Sequence, residues 1–190
     1  MEDQPWGNIK TRGITLIQFT KYLSHTFSDN EVGRIYASLP NDTVSIMDQV
    51  RKGAWYPFEY QRQLRQAIIQ HVDPSDPLGV TYRMGLVTAS WDFSGFLKPL
   101  FSFISKQTVM KNIATLWKKY YDKGKMELID FKENYSSMEL SDFPCDEYFY
   151  PIVTSWMKVA MQTLNTENPK VEYKVDKSTT GFCRFELFWE

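Results

Sequence analysis

Histidines, clustered cysteines and paired carboxylates are the side chains that most often carry out chemistry, and this sequence holds few of them. Its two histidines, His25 and His71, lie far apart, and neither stands in a triad signature. His71 falls near the end of a predicted helix, where an imidazole meets the free carbonyls of the last turn. Cys145 and Cys183 form no CxxC, no paired zinc spacing and no disulfide framework, so two reduced thiols are expected. The acidic residues are dispersed, and no Asp/Glu/His set has metal-ligand spacing. Neither GxxxxGK[ST] nor GxGxxG occurs. Catalysis, a metal and a cofactor are not expected.

Binding chemistry has more to offer. Residues 106–125 carry six lysines and one acid, a local +5, and residues 126–148 carry seven acids and one lysine, a local −6. Lys111, Lys118 and Lys119 are the candidate basic surface for an anionic ligand or partner. A solvated helix beside a solvated hairpin, or an internal charge match, accounts for the same pattern. Aromatic residues cluster at Trp55–Tyr60, around the turn after Ser90, and at Trp117, Tyr120 and Tyr121. Most of them must fill a core of this size. A minority could line an apolar pocket. The candidate ligand-binding residues are Trp91, Phe96, Trp117 and Tyr120, with Cys183 on the terminal strand.

The chain that must position these residues has 190 residues, 22 of them Lys or Arg and 23 Asp or Glu, a net charge of −1. A single domain spanning 1–190 fits that length. Apolar residues at 43% and aromatic residues at 16% exclude a disordered or low-complexity chain. Balanced charge argues against nucleic acid, which requires clustered excess Lys and Arg. The longest apolar stretch, Phe93–Ile104, is interrupted by Ser94, Lys98, Pro99 and Ser102, so no membrane insertion is expected. The opening Met1-Glu2-Asp3-Gln4-Pro5 has no basic flank leading into an apolar run, and a cytoplasmic location is expected.

Periodicity predicts a helix-rich part over about 8–124. Leu16, Phe19, Leu23 and Phe27 recur at helical steps. Ser28-Asp29 caps a second helix through Leu39, and a short third passes Ile46 and Met47. Trp55-Tyr56-Pro57-Phe58 reads as a turn, with Pro57 opening a helix that carries Tyr60, Leu64 and Ile68. Further helices are predicted over Leu78–Ala89 and Phe96–Ile104. A continuous amphipathic helix follows, with Val109, Ile113, Leu116, Trp117 and Tyr120 on one face, ended by Gly124. From 125 to 190 the period changes. Met126–Phe131 and Tyr135–Leu140 form one hairpin, Pro151–Leu164 a helix, and Val171–Val175 with Phe182–Trp189 a second hairpin. The fold class is α+β with an antiparallel sheet.

Three stretches carry a family resemblance. They are Ala54-Trp55-Tyr56-Pro57-Phe58-Glu59-Tyr60, the run Leu116 to Gly124 with Glu139-Leu140-Ser141-Asp142-Phe143-Pro144, and the closing Gly181 to Trp189. In order and spacing they resemble a paralogous family expanded in myxobacteria and their predatory relatives. That family is similar to the ligand-binding superfamily of nitric-oxide signalling and Golgi transport, which includes 4-vinyl-reductase-type sensor domains and Bet3-like trafficking subunits. The resemblance implies an antiparallel sheet packed by helices, frequent dimerisation, and sensing or assembly rather than turnover. Zinc-binding relatives use an additional upstream Cys, where this sequence has Val175-Asp176-Lys177. His-ligated haem relatives have a proximal His motif that neither His25 nor His71 reproduces.

The expected function is a non-enzymatic sensing module for a small apolar or anionic ligand or a protein partner, with a homodimer or hetero-assembly as output. The alternative is an assembly subunit with a filled core and no ligand.

Overall fold

The computed structural model describes residues 7–95, 97, 101, 105–176, 178–179 and 181–190. Five helices build the first part: α1 (Gly13–Thr26), α2 (Asp29–Ala37), α3 (Asn41–Met47), α4 (Phe58–Val72) and α5 (Pro77–Ser94). The start of α2 is fixed by a reciprocal box in which the Ser28 backbone N–H donates to Glu31 Oε2 at 2.8 Å. Pro77 opens α5, with the Asp76 side chain accepting from the Gly79 N–H at 3.0 Å. Their apolar faces meet in one cluster around Leu16, Phe19, Leu23, Ile35, Leu64, Ile68 and Met84.

The second part consists of α6 (Lys106–Lys111), α7 (Ile113–Tyr120), β3 (Lys125–Lys132), β4 (Tyr135–Ser141), α8 (Tyr150–Thr163), β5 (Lys170–Val175) and β6 (Cys183–Phe188). The sheet runs β3-β4-β6-β5 and is antiparallel throughout. The two expected hairpins are thus joined through β4 and β6, with Leu140 opposite Cys183 and Met138 opposite Phe185. Cys183, Phe185 and Leu187 point into the core, as period-two alternation requires. Phe58, Trp117, Tyr121, Phe143 and Phe149 form an aromatic nest of mainly edge-to-face contacts beneath the sheet.

α5 and α8 bind the two parts together. A Cβ on Gly85 would overlap Ser155 Oγ and lie 3.0 Å from Ile152 Cα, so the helices cross at a distance only glycine permits.

Three expectations about local structure are corrected. The turn expected after Ser90 is instead the last part of α5, which runs on to Ser94. Trp55–Pro57 is a strand, β2, not a turn, and it pairs with β1 (Lys10–Arg12). Three-residue strands are too short to leave an alternation signal. The continuous helix expected through Val109 and Tyr120 breaks at Asn112 (φ −99°, ψ 10°) into α6 and α7. Thr108 O accepts both the Asn112 backbone N–H at 3.2 Å and the Asn112 side-chain amide at 2.7 Å, so the residue at the break bonds back to the turn before it twice. The helix expected over Phe96–Ile104 lies mostly outside the described residues.

Candidate functional site

A cavity of about 70 Å³ lies at the seam between the helical core and the sheet core. Residues at helical spacing line it: Thr15, Gln18 and Phe19 from α1, Thr88 and Asp92 from α5, Ile113, Leu116, Trp117 and Tyr120 from α7, and Ile152, Val153, Trp156 and Met157 from α8. Gln61 of α4, Tyr121 and Met126 of β3 complete the wall. Every element around it presents one face, so the cavity is a product of how the two parts pack rather than of any one loop.

Its polar centre is Asp92, a carboxylate only 2% exposed. Tyr120 Oη donates to Asp92 Oδ2 at 3.0 Å and Trp156 Nε1 donates to the same oxygen at 3.3 Å. Gln18 Nε2 donates to Oδ1. Burial pushes Asp92 up to about 6, against the pull of its three donors from Tyr120, Gln18 and Trp156. Desolvation wins because the donors are neutral. The same burial, with Asp92 as neighbour, raises the Tyr120 phenol far above its ordinary value. A second polar point is Gln61, 1% exposed, whose Nε2 donates to Tyr121 Oη at 3.2 Å while Oε1 has no hydrogen-bond partner. The Tyr121 hydroxyl can give or take a proton, so either orientation of the amide leaves one of its two polar atoms unmatched.

Of the five residues singled out for ligand binding, Trp117 and Tyr120 reach this cavity. Trp117 does so with its face, since its Nε1 donates to Lys123 O at 2.8 Å and closes the turn toward β3. Trp91 does not line the cavity. One residue before Asp92, it is turned about 100° away around α5, with Lys21 Nζ 4.2 Å over its ring and His25 edge-on at 5.8 Å. Cys183 is fully buried between β4 and β5 and also lies outside the lining, with its thiol raised to about 12 by burial. Phe96 lies outside the described residues. Lys111, Lys118 and Lys119 are exposed, on the faces of α6 and α7 turned away from the core.

Asp92, Gln61 and Gln18 escaped the sequence reading, and Trp156, on the inner side of its predicted helix, was not singled out for binding. One signal was available: Asp92 is the only acid in α5, set in the apolar run Trp91-Asp92-Phe93. No such mark distinguishes Gln61 from the polar residues beside it.

Among the described residues no group of three or more His, Cys, Asp or Glu could hold a metal ion, and no helix is long and apolar enough to cross a membrane.

By sequence, no family model and no curated protein matches the chain. Solved structures do. A mutant Fe(II) unliganded H-NOX protein from K. algicida aligns with a TM-score of 0.73 at 13% identity, over 94% of this chain and 96% of that one. The H-NOX protein from S. oneidensis in its Fe(II)NO state gives 0.68 at 12% identity, over 94% and 99%. A structure from work on haem distortion in the H-NOX family gives 0.69 at 10% identity, over 94% and 95%. At such identities the likeness concerns architecture alone: this chain has an H-NOX-like α+β fold.

Proposed function

We propose that the chain is a non-enzymatic sensing module that binds a small molecule in the cavity at the seam of its two cores. The cavity itself is the observation that supports this reading. A seam cavity touches α1, α4, α5, α7 and α8 together, so an occupant bears on the relative packing of both parts at once. That is how a binding event becomes a change a partner can read. In this reading the 190 residues act as one cytoplasmic domain. The output is a homodimer or another protein, with the exposed Lys111, Lys118 and Lys119 as the basic docking face. Kinship with the myxobacterial family, and with vinyl-reductase-type and Bet3-like domains, belongs to the same proposal.

Haem, named for structural neighbours of this chain, does not fit the residues present. No histidine lines the cavity. His25 sits edge-on to Trp91, and His71 packs against Phe27 with its Nε2 3.8 Å from Glu31. The cavity tyrosines offer no phenolate, because burial raises both phenols and each hydroxyl is already bonded, Tyr120 to Asp92 and Tyr121 to Gln61. The cavity, at about 70 Å³, is far smaller than a porphyrin, and the wider pocket lined by Phe93, Phe101, Ser105, Lys106 and Val159 has no His, Cys, Tyr or Met among its described residues to ligate iron.

Native mass spectrometry of freshly purified protein tests the reading. A small ligand carried through purification and lost on collisional activation is the expected result. A single unliganded mass, together with a melting temperature that no small molecule shifts, would favour the filled-core assembly subunit instead.

A further inference from the structure

The geometry points to a short primary alkylammonium as the cavity's ligand, its cationic head at Asp92 and its chain against Ile113, Leu116 and Met157. This rests on the reading of the cavity as a binding site and adds the ligand's chemistry.

The sign of the site decides the class. Asp92 is the one charged side chain among the described residues of the lining. All three of its hydrogen bonds come from neutral donors, Gln18, Tyr120 and Trp156. Those bonds orient the carboxylate but leave its charge uncompensated, and a buried charge without a counter-ion is costly. Exposed Lys52 adds only the weakest of the attractions acting on it. An anion brought to this wall would be repelled. A neutral alcohol would find acceptors but leave the charge unmatched. An ammonium group supplies the missing positive charge and several N–H donors at once.

Gln61 provides an independent observation. Its amide is buried, faces the same cavity, and keeps one polar atom without a protein partner. Buried polar atoms are seldom left this way unless something absent from the chain satisfies them. Thr15, Gln18 and Thr88 are the other polar residues without an aromatic ring in the lining, all neutral, and most of the remaining wall is aliphatic or aromatic, which suits a hydrocarbon chain and not a polyamine. The small volume limits that chain to a few carbons.

The test compares propylammonium chloride, 1-propanol and sodium propionate, three molecules of similar size, by thermal shift at pH 7.5 and constant ionic strength. Propylammonium is expected to raise the melting temperature in a concentration-dependent way, propanol less, and propionate not at all. Asp92→Asn is expected to lose the propylammonium response while keeping that to propanol. Should that variant fail to fold, the wild-type Trp156 indole N–H resonance serves in its place. Titrated propylammonium should shift it and leave the Trp55 indole, in the β1–β2 ribbon, unmoved. An equal or larger effect of propionate, or an unmoved Trp156 resonance, overturns the proposal. If propanol or xenon binds and propylammonium does not, the ligand class is wrong and the site reading stands. If none of the four binds, both fall.

Discussion

Tyr120 and Asp92, from α7 and α5, meet at 3.0 Å across the seam between the helical and sheet parts. The bond ties α7, whose apolar face lies in the sheet-side core, to α5, which contributes to both cores, and both side chains are buried. Tyr120→Phe keeps the ring and deletes the donor. We expect a loss of about 1–3 kcal/mol, the usual cost of a buried acceptor deprived of a partner, measured by urea unfolding. An unchanged midpoint would mean that the contact does not join the two parts.

The raised value of Asp92 makes stability depend on pH in an uncommon direction for a carboxylate. Folded at about 6 and unfolded near 3.8, the group binds more protons in the native state between those values. Its contribution is therefore complete below pH ~4, declines as pH rises through the folded value, and levels off above it. The total is about 3 kcal/mol. Other carboxylates, Glu31, Asp73 and Asp176, are shifted the opposite way by Ser side-chain and backbone donors, so the signal must be read as a difference. Unfolding free energies of wild type minus Asp92→Asn should fall between pH 4 and 6.5; a flat difference contradicts the assignment.

Gly85→Ala should destabilise by roughly 1–3 kcal/mol, as overpacking of a tight contact does. The new methyl meets Ser155 Oγ, and the Ile152 backbone behind it cannot swing aside. The substitution Gly33→Ala is the control, because a methyl there meets nothing within 4 Å. Thermal melts of the two variants should separate clearly.

Trp117→Ala should cost about 3–5 kcal/mol, since the ring is 7% exposed, packs on Tyr121 and Phe143, and holds Lys123 O. Lys111→Glu and Lys118→Glu should change stability by at most roughly 0.5 kcal/mol. If these lysine changes abolish capture of a co-purified partner, the basic face is the docking surface. If capture is unaffected, the lysines are solvent-facing only.

Haemin titrated into the purified protein should give no saturable Soret shift, and expression with a haem precursor should yield a colourless protein. A stoichiometric Soret band would show that a ligand side chain exists which the cavity geometry does not reveal.

The elements that repeat a pattern over several turns were legible. Leu16 to Leu23, the Ser28-Asp29 cap, and the alternation Cys183-Phe185-Leu187 each write their structure into the sequence, and so do the two hairpins, though not their joining through β4 and β6. The β1–β2 ribbon did not, because three residues per strand carry no period. Nor did the break at Asn112, because it falls between Val109 and Ile113, whose helical spacing on the apolar stripe is kept across it. The site was half legible. Trp117 and Tyr120 stand on an apolar stripe, but their partners Asp92 and Gln61 come from α5 and α4. Which of many polar residues is buried beside them depends on how the helices rotate, and a linear pattern does not encode that.

The ribbon has a consequence for the order of folding. β1 pairs with β2, and beyond it Lys10 N–H donates to Asp122 Oδ1 at 2.6 Å while the Asp122 N–H returns to Lys10 O, across a separation of 112 residues. Thr11 bridges Tyr121 in the same place. Contacts so distant in sequence form late, after the closure entropy of the intervening loop has been met. During synthesis β1 therefore emerges more than a hundred residues ahead of its second partner, and α7 has to arrive before the N-terminal strand is fastened on both sides. The seam beside the cavity draws on residues from both parts, so it is expected to be among the last regions of the chain to close.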